Sequence, residues 1–185
     1  MVNIIVGSVI NVALLVFWFS IFYLFNRKKT IIPIMLLGVA VGISGVFTLA
    51  IAIERFGLAA AGIQLAEGQR KALIAPMVEE GSKLLFIFLS LRLLKMSTSG
   101  NNALGASVGL GFAFVENSAV LANPLNVFFR GFSSWLMHIG TATLLAYGVW
   151  YALQKHRFVR LPVFFIIAML VHSAFNLAVF LLGYG

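Results

Sequence analysis

The sequence contains no cysteine and no aspartate, and its five acidic residues are all glutamate: Glu54, Glu67, Glu79, Glu80 and Glu116. Without cysteine there is no disulfide, no thiolate nucleophile and no Cys-based metal site. Without aspartate a paired-aspartate protease mechanism is excluded. Charge of either sign is scarce, at 10% of residues, while 62% are hydrophobic and the mean hydropathy is +1.06. Soluble domains use about 45–50% apolar residues. The apolar runs are long and continuous rather than alternating, which argues against a β-barrel. The chain is therefore expected to be all-α, a polytopic integral membrane helical bundle, because helices satisfy their own backbone in lipid.

Six apolar runs approach the ~20 residues that a bilayer requires. They cover residues 3–25, 31–54, 69–95, 103–122, 127–154 and 161–183. The connections are short, so one transmembrane domain is expected over 1–185, with its chemistry in 69–183. The first run is too long for a cleaved signal peptide and has no basic segment before it, so it reads as a retained span. Segment 56–68 is too short to cross and is expected as a loop or an interfacial piece. Glu67 and Lys71, four residues apart, are expected to pair at the start of the third run.

The net charge of +8 does not point to nucleic acid, because the basic residues sit in short loops between apolar runs. One side collects Arg27, Lys28, Lys29, Arg92, Lys95, Lys155, Arg157 and Arg160. The other has Arg55, Arg70, Lys71 and Arg130, diluted by Glu54 and Glu67. The positive-inside rule makes the first side cytoplasmic and places both termini outside.

Glu79, Glu80, Lys83, Glu116, His138 and His172 are the ionisable residues left at membrane depth, accompanied by Asn117 and Asn176. A charge at the centre of a membrane helix costs roughly 2.5–3.5 kcal/mol, so such residues normally serve a function. Counted from the outer end of each run, Glu79, Glu116, His138 and His172 lie at depths of about 10–16 Å. Unrelated polar residues would scatter in depth, so the shared layer points to a single site. Lys83 is three and four residues from the two carboxylates and reaches either. His172 and Asn176 share a helix face, and Trp135, three before His138, is placed to wall the same cavity.

Closely spaced carboxylates in a low dielectric cannot all ionise, which leaves one able to take a proton from water. Histidine and asparagine can donate to an oxyanion. The group reads as a water-activating hydrolase with no required cofactor. A His₂Glu set such as Glu116, His138 and His172 is also a catalytic zinc arrangement. Intramembrane Glu and His equally suit an ion-coupled transporter. Gly105-Ala106-Ser107-Val108-Gly109 matches G-x-S-x-G, but Ser107 lies roughly 10 Å off the His172 layer. Helix packing accounts better for its glycines, as for Gly38 and Gly42.

Glu79-Glu80-x-x-Lys83, then Phe112-Ala113-Phe114-Val115-Glu116-Asn117, His138 and His172-x-x-x-Asn176 resemble the PrsW family of intramembrane proteases. More loosely they resemble the wider group of CAAX prenyl endopeptidases and bacteriocin-processing proteases, which also includes a non-catalytic scaffold. The resemblance covers four of the six runs. It implies an endopeptidase in a prokaryotic plasma membrane that cuts a membrane-anchored protein, such as an anti-sigma factor. By position it implies Glu79 as the base, with Glu80 in support and Glu116, His138, His172 and Asn176 completing the site. CAAX endopeptidases have His where this chain has Glu116, and the first loop is shorter and less acidic than the PrsW pattern.

Overall fold

The structure is a computed structural model describing residues 1–26, 30–60, 62, 66–94 and 96–182, with the side chains of 25, 26, 67, 71, 120 and 130 not described. The expected Glu67–Lys71 pair, and the basic residues at 27–29 and 95, lie outside that description. Six long helices follow one another with no strand among the described residues. They are α1 (Val2–Asn26), α2 (Ile31–Ala60), α3 (67–94), α4 (Thr98–Asn117), α5 (Pro124–Lys155) and α6 (Arg160–Leu181).

The boundaries follow local chemistry. The Ser97 hydroxyl caps α4 by accepting from the Gly100 amide at 3.3 Å, and the Asn123 side chain caps α5 by accepting from the Asn126 amide at 3.3 Å. Pro124 follows at the first turn, where its missing N–H costs nothing. His156 closes α5 in the left-handed region at φ 53°. Within α3, Pro76 cannot donate to the carbonyl four residues back. The turn before it, Arg70–Ile74, is widened to π-helical geometry.

α2 also carries π-helical turns, at Gly42–Val46 and Ile53–Gly57, and runs on to Ala60. This corrects the expected helix end at residue 54: residues 55–60 belong to the helix.

Four helices, α1, α2, α5 and α6, are long and apolar enough to cross a membrane. α3 and α4, expected from the sequence as spans three and four, are not among them. α3 carries Glu79, Glu80, Lys83 and Arg92, and much of α4 is glycine, serine and asparagine. α4 is buried along nearly its whole length between α5, α2 and α1.

Glycine makes that burial possible. A Cβ on Gly105 would lie 2.7 Å from the Ala142 carbonyl, and one on Gly109 would run into the His138 carbonyl. A Cβ on Gly42 would stand 2.8 Å from the Phe112 amide, and one on Gly38 would collide with the Ser107 hydroxyl. Ser107 itself donates to the carbonyls of Ala103 (2.7 Å) and Leu104 (3.0 Å). The G-x-S-x-G match is therefore a packing seam, as expected. α4 is drawn onto α5 at His138, the level at which polar side chains gather.

Candidate active site

The buried polar layer begins on α3. Glu80 is fully buried, and its Oε1 accepts three hydrogen bonds. They come from Lys83 Nζ at 2.6 Å, His172 Nδ1 at 2.8 Å and the Thr141 hydroxyl at 3.1 Å. A carboxylate this deep requires a compensating charge, and the fully buried Lys83 supplies it. Lys83 Nζ also lies 2.8 Å from His138 Nδ1 and 4.6 Å from the centre of the Phe112 ring.

An ammonium only donates, so His138 Nδ1 accepts and its proton sits on Nε2. Nε2 faces Glu116 Oε2 at 2.7 Å, and that oxygen also accepts from the Ser134 hydroxyl at 3.2 Å. At His172, Nδ1 donates to the Glu80 carboxylate, which only accepts. The two imidazoles meet edge to face, with centroids 4.9 Å apart.

His172 Nε2 looks toward Glu79 Oε2 at 3.6 Å. Both atoms are buried, and neither has a hydrogen-bond partner among the described residues. Above them opens a cavity of about 340 Å³, with Glu79, Glu116 and Asn176 in its lining. Glu80, Lys83 and His138 are sealed beneath it, whereas the Glu116 side chain is 28% exposed and that of Glu79 11%. The site thus has a buried inner layer and a partly exposed layer at the cavity mouth.

Of the residues singled out from the sequence, Glu79, Glu80, Lys83, Glu116, His138 and His172 meet, and Asn176 lines the cavity above them. Asn117 does not join them. Its amide donates to Asn11 Oδ1 at 2.9 Å and the Val127 carbonyl at 3.2 Å, tying α4 to α1 and α5. One residue past Glu116 is a turn of about 100° around the helix, enough to face the other way. Trp135 is likewise turned from the cavity. It packs with Leu14, Trp18 and Phe114 between α1, α4 and α5. Ser134 and Thr141 were not picked out, although they stand four before and three after His138 on its own face.

The potential metal ligands also differ from the sequence-based set. Glu79, His138 and His172 each offer an atom within 4.8 Å of the others. Glu116, the carboxylate of the sequence-based set, is not in that group; it faces His138 Nε2 at 2.7 Å. The three residues fit zinc in donor type, since two histidines and a glutamate form a known catalytic set. Two of them bring buried atoms without partners. His138 would join only by giving up one of its two contacts.

A family model described as PrsW family intramembrane metalloprotease matches residues 30–185. No curated protein matches the chain, and no solved structure does.

Proposed function

The chain belongs to the PrsW family of intramembrane proteases, and on that premise we propose that it hydrolyses a peptide bond of a membrane-anchored protein, with Glu79 as the base. The observation that carries this is the facing pair of Glu79 Oε2 and His172 Nε2, buried, 3.6 Å apart and without hydrogen-bond partners among the described residues. A water in the cavity beside them would donate a hydrogen bond to the Glu79 carboxylate, which lines it. Its oxygen attacks the scissile carbonyl carbon while its proton passes to Glu79. The carbonyl oxygen becomes an oxyanion, and the Asn176 amide, in the same cavity, is placed to donate to it. Glu79 then returns the proton to the departing nitrogen as the C–N bond breaks, leaving a carboxylate and an amine.

In this scheme Glu80, Lys83 and Thr141 act by holding the His172 ring. The sequence suggests His172 as an oxyanion donor, and its Nε2 faces Glu79 Oε2 at 3.6 Å. His138 orients Glu116, which lines the cavity and makes a second polar wall. The proposed substrate is cut on its extracytoplasmic side, as an anti-sigma factor would be. Both termini of this chain would lie outside a prokaryotic plasma membrane.

Glu79→Gln keeps the shape and removes the base. In proteoliposomes containing a single-span protein substrate, cleavage should fall by about 10²–10⁴-fold with unfolding unchanged. Cleavage by Glu79→Gln at the unaltered rate would contradict the role.

The family description includes a metal, and Glu79, His138 and His172 are the residues that would hold it. Zinc bound there would polarise the scissile carbonyl and make its water a stronger nucleophile. We propose instead that no metal is required, because the Lys83 ammonium, 2.8 Å from His138 Nδ1, already supplies positive charge to the inner layer. Metal analysis of purified, active protein should find far less than one zinc per chain. Stoichiometric zinc that is lost in His172→Ala would overturn this choice.

A further inference from the structure

The cavity above Glu79 has a rim that the hydrolysis does not use. Its floor is acidic, with Glu79 and Glu116, and its wall toward α6 includes Phe175 and Phe180. Its rim carries Arg55 from the end of α2 and Arg70 from the start of α3, together with Glu54. Ile51, Glu54 and Arg55 sit at i, i+3 and i+4, so one face of α2 turns toward the cavity. Both guanidinium groups belong to exposed residues. Glu54 is half-buried and close enough to interact electrostatically with Arg70. Among the described residues, the rim therefore holds two cations against one anion. Both arginines come from π-helical turns, Ile53–Gly57 and Arg70–Ile74, features found often at functional sites.

We propose that Arg55 and Arg70 form a carboxylate-binding subsite, which selects substrates carrying an acidic side chain on the rim side of the scissile bond. Guanidinium groups recognise carboxylates through paired, charge-assisted hydrogen bonds. Arg70 stands on α3 nine residues before Glu79, an axial offset of roughly 14 Å. An arginine side chain covers about half of that, and an extended substrate advances about 3.3 Å per residue. The acidic residue therefore falls about two to four positions from the cut. Phe175 and Phe180 face the intervening apolar residues. The subsite rests on the protease reading above, and it adds what that reading lacks, a sequence preference.

The test uses the full chain in phosphatidylcholine vesicles with single-span model proteins. Their positions within five residues of the membrane boundary are varied among Glu, Gln and Lys, and products are read by mass spectrometry. Wild type should favour Glu over Lys by about tenfold at one fixed distance from the cut. Arg55→Gln with Arg70→Gln should abolish the preference, and Arg55→Glu with Arg70→Glu should reverse it. Cleavage with no charge preference would overturn the subsite while leaving the protease reading intact. So would an equal loss on all substrates, restored by phosphatidylglycerol, which would mark the arginines as lipid-phosphate contacts.

Binding of the same proteins to Glu79→Gln, measured in nanodiscs, separates the two failures. A Glu preference there without cleavage by wild type would sink the protease reading and keep the subsite. No preference in either assay would overturn the subsite.

Discussion

Lys83 compensates Glu80 and fixes the proton on His138, so the inner layer depends on one side chain. It reaches Glu80 at 2.6 Å and His138 at 2.8 Å from full burial. Lys83→Met keeps the length and apolar stem but strands a buried carboxylate, a loss of about 3–5 kcal/mol. Adding Glu80→Gln removes the stranded charge, so the double variant should recover most of that stability, as read by denaturant unfolding in detergent. Two losses that simply add would show that the pair is not coupled. These contacts were only partly legible. The i, i+3 spacing of Glu80 and Lys83 marks the pair in the sequence. Nothing in the sequence says that Lys83 also reaches His138, because that depends on how far α3 and α5 stand apart.

At the scale of the helix, α4 positions the site by how closely it approaches α5. Gly109 touches the backbone of His138, where a Cβ would meet the carbonyl and lie 2.9 Å from Ile139 Cα. Backbone cannot swing aside as a side chain can. Gly109→Ala should push the helices apart, cost about 1–3 kcal/mol and lower activity by separating Glu116 from His138. Gly140→Ala on α5, where an added Cβ meets nothing within 4 Å, should keep activity and gain up to about 1 kcal/mol. Equal effects of the two in thermal unfolding would refute the close approach.

Helices as such were legible from continuous apolar runs, and depth was legible because α-helices rise by a fixed 1.5 Å per residue. Azimuth was not. Which way a residue faces depends on the order of helices around the bundle, and a single sequence does not record it. Hence Glu116 faces the cavity while Asn117, beside it, bonds α1. Hence also Glu79 rather than Glu116 shares the candidate metal-ligand group with both histidines. The extension of α2 to Ala60 was hidden by the Glu54-Arg55 pair, which interrupts the apolar run.

For the whole molecule, the chain alternates direction through six helices, so the mouth of the cavity gathers the end of α2, the start of α3 and the ends of α4 and α6. Valine, isoleucine and leucine remain exposed along α1 and α6, as lipid-facing surfaces require. On the cation bias of the loops, we propose that this mouth faces outside. The absence of cysteine gives single-cysteine labelling no background. Ala122→Cys, at the mouth end, should react with an impermeant maleimide in intact cells, and Arg157→Cys only after permeabilisation. The reverse pattern would put the cavity mouth in the cytoplasm.

The central claim is that Glu79 drives water onto a peptide carbonyl. Hydrolysis in H₂¹⁸O, with purified chain and a single-span substrate in vesicles, tests it most directly. Wild type should place one ¹⁸O atom in the new C-terminal carboxylate, and Glu79→Gln should form labelled product at least ~10²-fold more slowly. Labelled product formed by Glu79→Gln as fast as by wild type would contradict the account.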